Sequence, residues 1–85
     1  MEVRYTPEFV RSYQKFESSL QEEIKEKITL LKNKNNHEAL KVHKLHGRLH
    51  HSYSFSINYK YRIVFEYINN NIIALENVSD HDVYK

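Results

Sequence analysis

Residues 58–67 read NYKYRIVFEY, and they decide how the rest of the chain is arranged. Asn58, Tyr59 and Lys60 are turn-like, and from Tyr61 the β-branched and aromatic residues of a strand take over. Strand alternation puts Tyr61, Ile63, Phe65 and Tyr67 on one face and Arg62, Val64, Glu66 and Ile68 on the other. Arg62 is the odd member of an apolar strand. It is either a strand-end arginine whose stem covers apolar surface while its head reaches water, or a guanidinium held on a rigid element. In the second case its planar fork of donors matches a phosphate. Glu66 shares its face but lies about 13 Å along the strand, too far for an easy ion pair.

Working upstream, Leu49, His51, Tyr53, Phe55 and Ile57 alternate with His50, Ser52, Ser54, Ser56 and Asn58. The pattern predicts a half-wet strand from Leu49, its hydroxyl face open to something polar. Downstream, the asparagines at 69–71 form a second hairpin turn, since Asn tolerates left-handed backbone. Residues 72–78 are apolar on both faces at their start, as in a central strand.

The N-terminal half is helical. Val3 and Tyr5 alternate with Glu2 and Arg4 as a short strand, and Thr6-Pro7 then supplies an N-cap and a first-turn proline. Phe9, Tyr13 and Phe16 form one stripe, predicting a helix over about residues 7–16. Ser19 and Glu22 match a capping box, and Leu20, Ile24, Ile28 and Leu31 recur at helical spacing. Glu22 with Lys25 and Glu23 with Lys27 support that helix, while Glu22 and Glu26 oppose it. Residues 37–48 show no clear period, although Leu40, Val42 and Leu45 need burial. Gly47, the only glycine, marks a tight turn or a positive φ.

The order is β-α-α-β-β-β in a single domain over residues 1–85. The expected class is α+β, an antiparallel sheet packed on an N-terminal helical hairpin, with the first strand at an edge or beside the last strand. The 85 residues include no cysteine, which excludes a disulfide framework or a thiolate metal site. Seven Tyr and four Phe supply core bulk instead. A net charge of +2 is compatible with an anionic partner. No segment approaches the ~20 apolar residues of a membrane span. The N-terminus carries no targeting signature, so a cytoplasmic protein is expected.

Further candidates lie off the strand. His81 and Tyr84, in the tail, are either frayed terminal residues or groups for proton transfer and base stacking. His37, His43, His46, His50 and His51 lack zinc spacing and fall in a basic stretch with Lys41, Lys44 and Arg48. That stretch is a solvated loop or a rim for a phosphate backbone. Glu38 is either a surface glutamate or a general base. No P-loop, dinucleotide fingerprint, nucleophile elbow or zinc finger is present, so neither cofactor nor metal is expected. RNA cleavage suits such a chain, because the substrate's 2′-hydroxyl is itself the nucleophile and the protein positions, neutralises and transfers protons.

Taken together, VRYTPEFVRSYQKF, LKVHKLHGRL, YSFSINYKYRIVFEY and IIALENVSDHDVY resemble the RelE/ParE superfamily of type II toxins over nearly the whole chain. The resemblance implies a RelE-like fold and an mRNA endonuclease acting in the ribosomal A site, neutralised by a cognate antitoxin in a hetero-oligomer. The ParE branch would instead imply a DNA gyrase inhibitor without nuclease activity. By position, Arg62 matches the arginine that meets the scissile phosphate, Tyr84 a C-terminal tyrosine, His81 a nearby basic residue, and Glu38 the glutamate base of YoeB-like members. Lys41, Lys44, Arg48, Ser54, Ser56 and Lys60 are then the expected RNA contacts. Ser54 and Ser56 stand where RelE itself has lysines, which points to a His/Glu/Tyr mechanism closer to YoeB-like or YafQ-like members.

Overall fold

The computed structural model describes residues 1–80, so the candidates His81 and Tyr84 lie outside the described residues. Strand β1 (Glu2–Tyr5) leads into helix α1 (Pro7–Gln14), and helix α2 (Ser18–Leu31) follows after a short link. Four further strands complete the chain: β2 (His43–Lys44), β3 (Tyr53–Ser56), β4 (Tyr61–Tyr67) and β5 (Ile72–Asp80). The sheet has five strands in the order β1-β5-β4-β3-β2.

The class and element order match the sequence reading, with three differences. The sheet is mixed rather than antiparallel, because β1 runs parallel to β5. Parallel pairing needs a long crossover, and both helices lie in the one that returns the chain to β5. The strand expected from Leu49 begins only at Tyr53, since Gly47–Leu49 forms a single 3-10 turn entered through Gly47 at φ +72°. The Ser52 N–H closes that segment on the Leu49 carbonyl at 2.8 Å. The unassigned residues before it supply β2, a two-residue edge strand too short to show alternation.

Helix α1 begins as expected. The Phe9 N–H donates to Thr6 Oγ1 at 3.2 Å, with Pro7 in the first turn. The Thr6 hydroxyl in turn donates to the carbonyls of Leu75 (2.8 Å) and Glu76 (3.1 Å), so the cap also ties the helix to β5. The expected capping box at Ser19 does not form. Glu17 takes the cap position, and Ser19 Oγ spends its hydrogen on Glu17 Oε1 at 3.1 Å. The Glu22–Lys25 pair is present at 3.3 Å, and both side chains are exposed. It therefore adds little to stability, because water and salt screen an exposed pair.

One face of the sheet carries the core. Phe55, Ile63, Phe65, Ile73 and Leu75 pack against Phe9, Leu20, Ile24, Ile28 and Leu31 from the helices. Each such side chain contributes about 1.5–3 kcal/mol through burial, so the helical hairpin fixes which sheet face is covered. No helix among the described residues is long and apolar enough to cross a membrane.

Candidate functional site

The face of the sheet away from the helices is assembled by register. Ser54 lies opposite Val64, and Ser56 opposite Arg62. Across the other side of β4, Arg62 pairs with Ser79 and Val64 with Asn77. His43 pairs with Ser54, which brings β2 onto the same face. A register shift between Val64 and Phe65 makes Glu76 the extra residue of a bulge. Its Oε1 accepts from Ser52 Oγ at 2.7 Å. The Thr6 hydroxyl on the bulge carbonyls holds this distortion in place.

Arg62 is half-buried on β4, the central strand of the sheet, and the two residues the register sets beside it are both serines. The register thus places small hydroxyl side chains on both neighbouring strands beside the guanidinium. The Ser79 hydroxyl is buried with no hydrogen-bond partner among the described residues.

His43 is the second polar centre. Its Nδ1 lies 3.0 Å from the Lys41 carbonyl, which can only accept, so Nδ1 carries the hydrogen. In that tautomer Nε2 is an acceptor, and Ser54 Oγ donates to it at 3.3 Å. Lys41 adopts a left-handed backbone at φ +59°, uncommon for a side chain other than glycine. That turn aims its carbonyl at the ring. The His43 ring is exposed, while Ser54 is wholly buried.

This arrangement corrects one expectation and adds one residue. The hydroxyl face of β3 is not open to a polar ligand along its length: Ser52 and Ser54 are buried and already bonded to Glu76 and His43. The Ser54 hydroxyl is thus turned to the His43 ring. Ser56 is exposed beside Arg62, and Lys60 is exposed two residues before it in the hairpin turn. Lys41, Lys44 and Arg48 are exposed, but the register puts the β2–β3 connection, with Arg48, at the end of β3 away from Arg62.

Glu38 is placed differently from Arg62. Its side chain is exposed and makes no hydrogen bond or ion pair among the described residues. Its neighbour His37 is buried and fixed at both ring nitrogens, Nε2 to the Leu31 carbonyl and Nδ1 to the Tyr67 hydroxyl, each at 2.7 Å. The carbonyl only accepts, so His37 carries its hydrogen on Nε2 and Tyr67 donates to Nδ1. Burial pushes the Tyr67 phenol above its ordinary value, with the neighbouring Tyr53 adding to the shift. Tyr67 projects on the helix-covered face, about 17 Å along β4 from Arg62. The five-histidine stretch is thus divided between a packed group, His37, a face group, His43, and surface rings such as His50 and His51. Among the described residues no three His, Asp or Glu side chains converge as a metal site.

Residues 7–81 match the model of a family described as RelE-like toxin of type II toxin–antitoxin system HigB. No individually curated protein matches the chain. Among solved structures, the fold is similar to that of YafQ from E. coli strain BL21(DE3), with TM-score 0.75, 14% identity, and coverage of 96% of this chain and 94% of that one. It is also similar to a chain of the YoeB–YefM complex from Staphylococcus aureus, with TM-score 0.74, 22% identity, and 95% and 97% coverage. A third likeness is to the toxin–antitoxin complex RelBE2 from Mycobacterium tuberculosis, with TM-score 0.70, 17% identity, and 94% and 96% coverage. At these identities the likeness is one of fold.

Proposed function

The chain belongs to the RelE-like toxins of type II toxin–antitoxin systems, and from that premise we propose that it is a ribosome-dependent mRNA endoribonuclease that arrests translation. The observation that carries this reading is Arg62, held on β4 between two serines on the sheet face that the helices leave uncovered. A guanidinium there meets a phosphate bidentately and stabilises the charge that develops on its equatorial oxygens.

The reaction needs a base for the 2′-hydroxyl. His43 is the group we assign to it, in place of Glu38. Its ring presents Nε2 on the Arg62 face, and the Lys41 carbonyl and Ser54 hydroxyl set its tautomer and orientation. The 2′-oxygen attacks phosphorus as its proton passes to Nε2, the Ser54 hydroxyl turning away from that lone pair as the 2′-hydroxyl takes its place. The bond to the 5′-oxygen breaks, and a protonated group supplies that oxygen with hydrogen. The products are a 2′,3′-cyclic phosphate and a 5′-hydroxyl. His81 and Tyr84 remain the candidates for the acid and for holding a base. Ser56, Lys60, Lys41, Lys44 and Arg48 serve the RNA backbone. A cognate antitoxin binds the toxin in a hetero-oligomer, as YefM assembles with YoeB in the Staphylococcus aureus complex.

Induction of the chain in cells, with labelled amino-acid and nucleoside precursors, tests this reading. Early loss of protein synthesis with mRNA cut inside codons supports it. Early loss of DNA synthesis with translation intact would replace it by gyrase inhibition.

A further inference from the structure

Tyr59 is 94% exposed at the tip of the β3–β4 hairpin. Nothing in the fold accounts for a tyrosine there. The turn is closed by its neighbour: Asn58 Oδ1 accepts from the N–H groups of Lys60 (2.8 Å) and Tyr61 (2.9 Å), and the Ile57 N–H reaches the Tyr61 carbonyl at 2.9 Å. Such turns favour Gly, Asn, Asp or Pro, not an aromatic ring. Tyr5, Tyr13, Tyr53, Tyr61 and Tyr67 all pack against other rings, whereas Tyr59 has neither a ring contact nor a hydrogen bond among the described residues.

The turn is also tied to the body of the fold. Asn58 Nδ2 donates to Glu23 Oε1 at 3.2 Å, which ties the turn to α2. Lys60 follows, its ammonium 5.3 Å from the Tyr61 ring centroid. Arg62 is three residues on, about 10 Å along the strand. An exposed aromatic beside cations is how proteins hold single-stranded nucleic acid: the ring stacks on a base while the cations follow the backbone.

We infer that Tyr59 is a stacking platform for an RNA base one or two nucleotides from the phosphate held by Arg62. The inference rests on the nuclease reading for its substrate, and it assigns the residue that grips the RNA beside the cut.

Binding to ribosomes programmed with an mRNA whose A-site codon is 2′-O-methylated measures grip without cleavage. Tyr59→Ala should raise the half-saturating concentration about tenfold, the effect of losing one stacked base. Tyr59→Phe and Tyr59→Trp, which keep the ring, should bind like the parent. All three should melt at the parent's temperature, and on unmodified mRNA should cut at the parent's rate once saturated. Unchanged binding by Tyr59→Ala overturns the inference. So does weaker binding to the antitoxin with unchanged binding to the ribosome, which would make the tip a protein contact. Tyr59-dependent binding with unmodified mRNA left intact would keep the platform and remove the nuclease. No binding by the parent would remove both.

Discussion

Ser54 donates its hydroxyl to His43 Nε2 at 3.3 Å from a side chain with no exposed surface. A buried hydroxyl bonded to an exposed imidazole is a positioning contact, since Ser54 itself cannot reach a ligand. Ser54→Ala should therefore lower the cleavage rate by several-fold and leave RNA affinity unchanged. His43→Ala should cost about 100-fold or more, the usual contribution of a general base. Glu38→Gln should cleave like the parent. Single-turnover rates on programmed ribosomes separate the three; a large loss with Glu38→Gln and none with His43→Ala would return the base to Glu38.

On the nuclease reading, Arg62 acts through geometry as well as charge. The register sets Ser56 and Ser79 beside it on the two neighbouring strands. Arg62→Lys keeps a cation but loses the planar fork. It should recover little of the activity that Arg62→Ala loses, while binding of the programmed ribosome recovers more. Full activity in Arg62→Lys would show that charge alone suffices.

Thr6 joins α1 to the β5 bulge through one hydroxyl, which accepts from Phe9 N–H and donates to the carbonyls of Leu75 and Glu76. Thr6→Val removes the cap and leaves those carbonyls without that donor. Losing a cap costs about 1–2 kcal/mol. Urea unfolding should show a lower midpoint with an unchanged slope. Because Glu76 belongs to the same bulge, the Ser52–Glu76 contact should loosen as well, read as altered Ser52 and Glu76 NMR shifts.

Tyr67 gives stability an alkaline limit. Burial raises its phenol above the ordinary value of 10.0, so the folded chain holds this proton more tightly than the unfolded one. The contribution is complete below the ordinary value and is lost as pH rises through the raised one, because the unfolded chain releases the proton first. Tyr67→Phe should flatten part of the fall in stability above pH ~10. It should also cost about 1 kcal/mol at neutral pH, through the bond to His37. An unaltered alkaline slope in Tyr67→Phe would assign the fall to other groups.

Much of this fold is legible in the sequence because its long elements carry clean periods. The Leu20–Ile24–Ile28–Leu31 stripe and the alternation from Tyr61 to Tyr67 each bury one face, and both elements lie where those patterns put them. The reading fails where structure comes from partners distant in sequence. His43 and Lys44 are a strand only because β3 offers an edge, and two residues cannot show a period. Ser52 and Ser54 look like a wet face, yet the Glu76 carboxylate and the His43 ring satisfy them from strands far along the chain. The bulge that sets Glu76 opposite Ser52 has no local signal at all. Arg62 stood out as the odd charge on an apolar strand. His43 did not, since five histidines in one stretch share a composition and only the fold separates them.

The most direct measurement is cleavage of a defined mRNA on purified ribosomes by the purified protein, with 3′ ends mapped and their chemistry determined. The parent should cut inside the A-site codon and leave a 2′,3′-cyclic phosphate, and Arg62→Ala, folded to the same melting temperature, should be slower by at least about 100-fold. Intact mRNA with the parent protein, or equal rates with Arg62→Ala, would contradict the assignment of this sheet face as a ribonuclease site.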